Sequence, residues 1–567
     1  MKQQIIDLIE KNVEGLNREE ISALLEIPPK PELGDFAFPC FRLAKTMRKA
    51  PQMIAADIKD AIGEVDFIEE IAVQGAYLNF FIKKNIFVKS MVEAASADNF
   101  GGSNVGDGKC ICIDYSSPNV AKNFHVGHLR TTIIGNSLYK IYSKLGYDVK
   151  RINHLGDWGT QFGKLIVAYK AWGNEEAVKK DGVGELMKLY VKFHDEAKEN
   201  PTLNDEARAW FVKMEQGDEE AQKIWQWFKD ISLIEYKRTY DLLGMDFDYY
   251  LGESFYRDKT DDVVNKLTSA NLLTESEGAK IVDLEAYDMA PCLILKNDGS
   301  SIYATRDLAA IFYRKDTYNF VKCLYVTGQE QKLHFSQVFK VVELLGNEWA
   351  KDQLVHIPYG LVSLEGAKLS TRSGNIIYAE DILLEAVSKV KDIIIENMEK
   401  KGQDIQDVDG TAKMVGVGAV LFNDLYNQRI KDVSFSWDKL LNFNGETGPY
   451  VQYTYARCSS ILRGLDNYDE NADIDYSLIT DAASIDLLKE INRFPQVVVD
   501  AADKYEPSQI ARFAVAVAQS FNKFYNENRI NIDDSAIKHA RAALVKITRK
   551  TIKDAMLLLG IDCPEQM

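Results

Sequence analysis

The chain has 567 residues, of which 46% are hydrophobic and 27% are charged, and it carries a net charge of −17 at pH 7. That length predicts three or four domains, and the apolar fraction excludes an intrinsically disordered chain. No apolar run approaches the ~18 residues of a membrane-spanning helix, and the first residues suggest an amphipathic helix rather than a secretory signal. We therefore expect a cytoplasmic protein with no membrane partner. The acidic balance argues against a nucleic-acid partner, because phosphates are held mainly by Lys and Arg.

The seven cysteines are too sparse for a disulfide scaffold, and none forms a CxxC pair. This usage favours a reducing compartment. Cys110 and Cys112 share one face of the predicted strand CICIDYSS, where small buried residues are a simpler interpretation than a metal site. We expect no structural metal.

Residues 1–105 are predicted to form a small α+β domain. Pro51 begins a helix that carries Ile54, Ile58 and Ile62 on one face, and alternating runs such as IAVQGAYLNFFI indicate strands. The Gly-, Ser- and Asn-rich segment FGGSNVGDGK marks the end of this domain.

Residues 106–410 alternate between strand and helix patterns, which predicts an α/β domain with a Rossmann-type doubly wound parallel sheet. The strand CICIDYSS leads to a helix that ends at Gly146, and YDVKRINHL is the next strand. Residues 173–285 are more acidic and helical, which indicates an insertion. After it, CLILK, SIYATR, FVKCLYVTG and LVHIPYGLVSL are expected to complete the same sheet.

Residues 411–567 are helical in pattern and predict a C-terminal α-helical bundle. Pro507 begins a helix with an apolar stripe that is typical of a buried core rather than a ligand site. The stripe consists of Ile510, Phe513, Val517, Phe521 and Phe524.

The segment HVGH places His125 and His128 in the turn between a predicted strand and the start of a helix. Backbone N–H groups and the positive end of the helix dipole stabilise an anionic phosphate at such a place. Two imidazoles could donate hydrogen bonds to the charge on a phosphate in its transition state, and Gly127 lets a substrate approach the backbone. The alternatives are a chance HxxH or a metal site, although neither the HExxH glutamate nor a nearby Cys is present.

The segment SSPNVAKNFHVGHLRTTIIGNSL resembles the HIGH-motif region of class I aminoacyl-tRNA synthetases, and SPNVAK ahead of HVGH is similar to arginyl-tRNA synthetases in particular. The similarity continues in order through HLGDWGTQFG, YATRDLA, EQKLHF, KLSTRSG, TGPYVQY and the terminal PEQM. It implies ATP-dependent ligation of L-arginine to tRNA(Arg). Arginine and ATP would form arginyl-adenylate and pyrophosphate, and the arginyl group would then pass to the terminal adenosine, releasing AMP. It also implies ATP with Mg²⁺ as substrate, and we expect a monomer.

The resemblance assigns an arginine pocket to five residues. Asp114, Tyr303 and Asp307 would hold the side chain, because a guanidinium needs planar carboxylate partners. Asn119 and Gln331 would bind the amino-acid head. The alternative for Asp307 is a plain surface carboxylate.

The block HLGDWGTQFG resembles the part of the family's site that contacts adenosine and amino acid, although a Gly-rich turn alone is a weak signal. It contributes His154, Gly156 and Asp157. His334 is either a site residue or a hydrogen-bonded structural histidine. The ATP-binding residues implied are His125, Gly127, His128, His154, Gly156 and Lys368.

The segment KLSTR is similar to the KMSKS loop, which places cations on the phosphates as pyrophosphate leaves. Lys368 and Ser370 match that motif, but Thr371 stands in place of its second lysine and is followed by Arg372. Lys122 occupies a position just upstream of HVGH where arginyl enzymes often carry a lysine. Our hypothesis is that Lys122 supplies the missing charge. Taken alone, KLSTR would be only a solvated turn.

The ends of the chain are expected to contact tRNA. Residues 536–553 carry six basic side chains and no acidic one, which suits a phosphate backbone or else a solvated helix face. Tyr525 and Met567 resemble anticodon-contacting positions, and Tyr450 is a weaker candidate. The N-terminal segment FRLAKTMRKA is also basic, and the family uses this domain against the outer corner of the tRNA.

The net charge is confined to three segments. Residues 173–223, 241–262 and 466–486 carry −5, −5 and −7, so the remaining chain is neutral in total. The resolved charge map therefore predicts surfaces that the RNA avoids, rather than excluding RNA.

Two other classes of function are compatible with an HxGH motif. One is another HxGH enzyme, either a small nucleotidylyltransferase or a class I synthetase for a different amino acid. A nucleotidylyltransferase would need neither the long helical C-terminal region nor KLSTR, and a cysteine enzyme would carry zinc-type Cys ligands, which are absent. The other is a non-catalytic tRNA-binding or regulatory relative. Such a protein would have lost residues of HVGH or KLSTR, and both motifs are largely intact.

Overall fold

The computed structural model describes residues 1–28, 30–364, 367–368, 378–401 and 405–567. Its described residues divide into two compact units. The first unit comprises Met1–Phe100, Cys458–Arg493 and Gln519–Thr551, and the second comprises Gly101–Arg457, Phe494–Ala518 and Ile552–Met567.

The strands lie mostly in the second unit. In chain order they are β1 (Phe36–Pro39), β2 (Ile68–Gln74), β3 (Tyr77–Ile82), β4 (Cys110–Asp114), β5 (Asp148–Asn153), β6 (Tyr249–Tyr250), β7 (Leu273–Ser276), β8 (Ala279–Val282), β9 (Cys292–Leu295), β10 (Lys322–Gly328), β11 (Leu354–Tyr359), β12 (Val362–Leu364), β13 (Ala367–Lys368) and β14 (Val433–Phe435).

Helices make up most of the rest. Those up to residue 243 are α1 (Lys2–Asn12), α2 (Arg18–Leu24), α3 (Leu43–Met47), α4 (Pro51–Ile62), α5 (Lys84–Ser96), α6 (Val126–Lys144), α7 (Thr160–Trp172), α8 (Glu175–Asp181), α9 (Val183–Glu199), α10 (Thr202–Glu215) and α11 (Glu219–Leu243). Those that follow are α12 (Glu253–Tyr256), α13 (Thr260–Ser269), α14 (Tyr303–Tyr318), α15 (Lys332–Leu344), α16 (Ala350–Gln353), α17 (Ala379–Lys401), α18 (Val408–Leu425), α19 (Trp437–Leu440), α20 (Gly448–Arg463), α21 (Ala482–Ile491), α22 (Phe494–Asp503), α23 (Ser508–Glu527) and α24 (Ser535–Leu558).

A five-stranded sheet forms the centre of the second unit, with the order β11-β10-β4-β5-β6. All four pairings in it are parallel. The predicted strand–helix–strand unit β4–α6–β5 is confirmed, because β5 pairs directly with β4. The carboxyl ends of these strands meet at one edge, which is where open α/β sheets bind their ligands.

Two of the four runs that were expected to complete this sheet do not belong to it. The run CLIL forms β9, which pairs with β8 in a separate antiparallel sheet β7-β8-β9, and SIYATR runs into helix α14. The run FVKCLYVTG supplies β10 and the first part of LVHIPYGLVSL supplies β11, and these two strands extend the parallel sheet. The end of LVHIPYGLVSL forms β12, which belongs to the separate sheet β13-β12-β14. Short apolar runs do not distinguish a strand from a helix, and pairing partners depend on the tertiary fold.

The region of the expected insertion is helical from α8 to α11. The chain then returns to the main sheet, because Tyr249 and Tyr250 of β6 pair in parallel with Ile152 and Asn153. This short strand brings Glu253, at the start of α12, to the carboxyl edge of the sheet.

The first unit contains the α+β fold expected near the N-terminus. Its antiparallel sheet has the order β1-β3-β2, and Ile54 and Ile58 of α4 are buried in the core beneath it. Ile62 is partly buried, as the four-residue spacing predicts.

The apolar stripe of α23 is also confirmed as core. Ile510, Phe513, Val517, Phe521 and Phe524 are all buried.

A buried arginine ties helix α6 to distant segments of the second unit. The Arg130 side chain is 0% exposed, and its Nε lies 3.4 Å from Oδ1 of Asp424. The guanidinium donates to the backbone carbonyl oxygens of Gly360, Leu361, Arg429 and Lys431 at 2.7 to 3.1 Å. Burial raises the pKa of Asp424 to about 6, although Arg130 opposes that shift. The arginine therefore satisfies groups from three segments at once.

Replacing Arg130 should destabilise the second unit strongly. Arg130→Met leaves Asp424 and the carbonyl oxygens without their donor, and breaking a buried ion pair in this way costs about 3–5 kcal/mol. We expect a marked fall in the melting temperature of the full chain followed by circular dichroism. The matched control is Arg18→Met, since Arg18 pairs with Asp7 and Glu10 at the surface and its loss should change little. Equal melting temperatures for the two variants would contradict the assigned role.

Candidate active site

The first turn of α6 is capped by the two histidines of HVGH. Nδ1 of His125 accepts a hydrogen bond from the Gly127 N–H at 3.0 Å, and Nδ1 of His128 accepts one from the His125 N–H at 3.3 Å. These are the unsatisfied N–H groups that every helix start presents. Because each Nδ1 is an acceptor, the hydrogen-bond pattern assigns the ring proton of each histidine to Nε2.

Both histidines are held in the neutral form. Burial lowers the pKa of His125 and holds that of His128 well below its usual range, and the charge of Lys122 adds to both shifts. The two rings stack with their centroids 3.9 Å apart. The start of α6 thus combines two neutral Nε2–H donors with the positive end of the helix dipole, which suits an anionic phosphate.

Two glycines are required by close approach. A Cβ on Gly127 would lie 2.9 Å from a carbon of the His125 ring, and one on Gly156 would lie 2.1 Å from Oδ1 of Asn119. Any larger residue would therefore displace the helix cap or the pocket amide. Gly156 also joins the loop after β4, since its N–H donates to Pro118 and its carbonyl accepts from Val120.

A cavity of about 420 Å³ lies at the carboxyl edge of the parallel sheet. All five residues of the predicted arginine pocket line it, together with His154 and Gly156. Its full lining is Asp114, Ser117, Asn119, His154, Gly156, Glu253, Tyr303, Arg306, Asp307, Tyr325, Thr327, Gln331, His334 and Phe335. Residues that are far apart in sequence are thus brought together, and their roles remain predictions.

Asp307 is a cavity carboxylate rather than a plain surface group. Nε2 of His334 donates to its Oδ2 at 2.6 Å. Burial raises the pKa of Asp307, but the hydrogen bond and nearby positive charge outweigh burial and leave that pKa below its usual value. His334 is both hydrogen-bonded and part of the lining, so the two alternatives considered for it are compatible.

Asp114 has intramolecular partners on both carboxylate oxygens. Nη2 of the fully buried Arg314 donates to Oδ2 at 2.7 Å, and the Ser117 hydroxyl donates to Oδ1 at 2.9 Å. The same guanidinium nitrogen lies 3.3 Å from Nδ1 of His154. A guanidinium of the chain itself therefore occupies the carboxylate that was predicted to hold the arginine side chain.

Sequence reasoning missed a third cavity carboxylate, Glu253. Its Oε2 lies 3.1 Å from Nε of Arg306, and burial raises its pKa to about 7 although Arg306 opposes the shift. The guanidinium of Arg306 also lies over the ring of Tyr303, at 5.2 Å from its centre. The sequence signal for Glu253 is its position after the short apolar run DYYLG, where the carboxyl end of a strand would lie. Only the fold shows that this run contains β6, the edge strand of the parallel sheet. The other lining residues that were missed are Ser117, Arg306, Tyr325, Thr327 and Phe335.

Asp157 does not face the cavity, and this corrects the role suggested for it. Its buried carboxylate accepts from Lys229 at 2.6 Å and from the N–H and hydroxyl of Ser254 at 2.8 and 2.7 Å. With both oxygens satisfied inside the fold, Asp157 anchors the loop after β5 to α11 and α12.

Tyr378 and Ala379 contact the residues that precede and include the first histidine of HVGH. Asn123 donates to the Tyr378 hydroxyl at 3.1 Å, the Ala379 N–H donates to the Phe124 carbonyl at 3.0 Å, and Tyr378 bridges to His125. The backbone of Lys368 lies in β13, paired with β12. Ser370, Thr371 and Arg372 lie outside the described residues. Lys122 is exposed beside the histidines.

The predicted basic face of α24 is only partly available. Lys538 is buried, which corrects that prediction, and its Nζ donates to the Asp466 carbonyl at 2.7 Å. Lys546 pairs with Glu470 at 3.7 Å. The acidic connection of residues 466–486 thus contacts the basic helix.

The three residues predicted to contact tRNA bases have different surroundings. Tyr525 is 38% exposed and its ring stacks on Phe521. Met567 is partly buried against a core that includes Val390 and Ala412, and Tyr450 is partly buried. Their roles stay predictions.

Two general findings concern only the residues that the structure describes. None of their helices is long and apolar enough to cross a membrane. Among these residues, no three His, Cys, Asp or Glu side chains converge to hold a metal ion. Cys112 is fully buried and Cys110 partly so, as expected for residues of a core strand.

Comparison with known families and proteins assigns the chain. Residues 91–437 match the model described as tRNA synthetases class I (R), catalytic domain. Residues 451–567 match the DALR anticodon binding domain, and residues 2–82 match the arginyl tRNA synthetase N terminal domain.

Similar proteins span the whole chain. The arginine–tRNA ligase of Alkaliphilus metalliredigens is 51% identical over 100% of this chain and 99% of its own, and that of Clostridium perfringens is 52% identical over 100% of both. The solved arginyl-tRNA synthetase of Thermus thermophilus has the same fold, with a TM-score of 0.81, 23% identity and 100% of both chains covered. The Plasmodium falciparum structure gives 0.79 at 24% identity, covering 100% of this chain and 98% of the other. The chain therefore belongs to the arginyl-tRNA synthetase family of class I tRNA synthetases.

Proposed function

We propose that this protein ligates L-arginine to tRNA(Arg), using ATP taken as its Mg²⁺ complex and passing through an arginyl-adenylate. The observation that carries the proposal is the cavity, which is lined by three carboxylates together with Ser117 and Asn119 of the loop that leads to HVGH. Identity of about half over the whole length of arginine–tRNA ligases supports the same reaction.

In this proposal Asp307 and Glu253 hold the substrate guanidinium. Two carboxylates that line one cavity can accept hydrogen bonds from the several N–H donors of a planar guanidinium, and the Tyr303 ring would cover that guanidinium. Asp114 then takes a different part, because Arg314 and Ser117 already bond to its oxygens. We assign Asp114, Asn119 and Gln331 to the amino-acid head.

The chemistry follows from the orientation of the head group. A carboxylate oxygen of arginine attacks the α-phosphorus of ATP, and the bond to pyrophosphate breaks. The Nε2–H groups of His125 and His128 donate to the α-phosphate oxygens as charge develops there. Lys122, Lys368 and Ser370 are assigned to the departing pyrophosphate. A hydroxyl of the terminal adenosine of tRNA then attacks the arginyl carbonyl, and AMP leaves.

The larger organisation is part of the proposal. Residues 1–105 and 411–567 would contact tRNA, residues 106–410 would carry the reaction, and the chain would act as a monomer. The basic and exposed Arg42, Lys45 and Arg48 support an RNA-facing N-terminal segment.

Amino-acid-dependent exchange of pyrophosphate into ATP tests the function directly. We expect exchange with arginine and none with the other amino acids, measured with and without tRNA(Arg). Exchange with another amino acid in place of arginine would refute the substrate, and absence of exchange with every amino acid in the presence of tRNA would refute the activity.

Lys122 should matter for adenylate formation. Lys122 is exposed on the loop that leads directly into His125 and His128, and its positive charge adds to the lowering of both histidine pKa values. Lys122→Ala should lower the exchange rate by about 10- to 100-fold, the usual scale for losing one stabilising group. Lys109→Ala is the control, because that exposed lysine precedes β4 at the opposite end of the strand. A Lys122→Ala rate within a few-fold of wild type would disprove the role.

Glu253 should give arginine binding a pH dependence. Since its pKa is about 7, the carboxylate fraction grows as pH increases from about 6 to about 8, while the substrate guanidinium stays charged. The KM for arginine should therefore fall over that range. Glu253→Gln should raise KM about tenfold or more and remove the pH dependence, since a charge-assisted hydrogen bond is lost.

The control for this experiment is Glu330→Gln, which removes an exposed carboxylate outside the cavity lining. Its KM and pH profile should match wild type. An unchanged KM in Glu253→Gln would move the guanidinium site elsewhere.

A further inference from the structure

The loop between β4 and α6 has an unusual backbone. Ser116, Ser117 and Ala121 adopt left-handed φ values of 71°, 46° and 60°. Residues with a Cβ disfavour that conformation, which persists only where surrounding contacts determine it. The same loop carries Asn119, which lines the cavity, and Lys122. Something must therefore hold this loop in place.

One face of α11 provides these contacts. Ser232, Tyr236 and Tyr240 are spaced four residues apart, so they share a face of the helix. The Ser232 hydroxyl accepts from the Ala121 N–H at 2.9 Å, and the Tyr240 hydroxyl lies 2.7 Å from that of Ser116. Two of the three left-handed residues are thus bonded directly to α11.

Tyr236 makes the central contact of this face. Its hydroxyl lies within hydrogen-bond distance of two carbonyl oxygens, that of Asn119 at 2.6 Å and that of Lys122 at 2.8 Å. The Lys122 N–H also donates to the Asn119 carbonyl at 3.2 Å, which closes the turn. The Tyr236 side chain is fully buried, and burial raises its pKa well above the usual value, so the hydroxyl remains a donor.

We propose that Tyr236 is a positioning residue. By holding the turn from Asn119 to Lys122, it fixes the positions of the Asn119 side-chain amide in the cavity and of the Lys122 ammonium. The inference rests on the proposed function, because Asn119 is there assigned to the amino-acid head and Lys122 to pyrophosphate. Tyr236 itself does not line the cavity. Its effect on the reaction passes through the backbone of these two residues.

The test is Tyr236→Phe in the full-length chain, compared with Tyr142→Phe. The control also removes a buried tyrosine hydroxyl bonded to a backbone carbonyl, that of Ala502 at 2.9 Å, away from the loop. In arginine-dependent exchange with tRNA present, Tyr236→Phe should raise the KM for arginine and lower kcat, with kcat/KM reduced about tenfold. Tyr142→Phe should stay within about twofold of wild type. Both are assayed well below their melting temperatures.

A second readout does not depend on activity. Trypsin cleaves after Lys122 only if the turn opens, so the rate of this cut under native conditions, followed by mass spectrometry, reports the loop directly. It should rise in Tyr236→Phe and in Ser232→Ala, which removes a neighbouring bond from the same face, and stay unchanged in Tyr142→Phe.

The outcomes separate the two claims. Kinetics and cleavage in Tyr236→Phe that match Tyr142→Phe would overturn the positioning role, as would a fall in kcat alone in proportion to the unfolded fraction. Absence of arginine-dependent exchange in the wild type would overturn the proposed function instead.

Discussion

The unsatisfied backbone N–H groups at the start of α6 are the constraint on which the site depends. His125 and His128 satisfy two of them through Nδ1, which leaves Nε2–H of each ring as the remaining donor. In each ring, Nδ1 thus caps the helix, while Nε2–H is available for the proposed hydrogen bond to a phosphate. An aspartate cap would satisfy the helix equally well, but its carboxylate would leave no donor for a phosphate.

The rest of the second unit holds this helix start in register. Arg130, one turn further along α6, bonds to the carbonyl oxygens of Gly360 and Leu361, which lead into β12. Tyr378 returns to His125 after the KLSTR segment. Both flanks of that segment are therefore attached to the histidine helix, and α11 supports the loop on the other side. Such support matters because a phosphate site tolerates little displacement of its donors.

The cavity shows how a fold can keep several carboxylates together. Asp114 is paired with Arg314, Glu253 with Arg306 and Asp307 with His334. Unpaired carboxylates in a partly buried cavity would be costly, and internal partners remove that cost before any substrate arrives. The partners are unequal, since Asp114 is bonded on both oxygens while Glu253 keeps a raised pKa. This difference is why we assign the guanidinium to Glu253 and Asp307.

The sequence by itself determined the strand–helix–strand unit around HVGH and the buried stripe of α23, because apolar spacing reports local structure directly. The family resemblance also named all five residues of the predicted arginine pocket, and the fold gathers them around one cavity. Only the tertiary structure placed Glu253 in the cavity, put CLIL in a separate sheet, paired Asp114 with Arg314 and turned Asp157 inward. Those outcomes depend on which strands pair and on which buried side chains come into contact. Such contacts join residues far apart in the chain, so the spacing of apolar residues does not predict them.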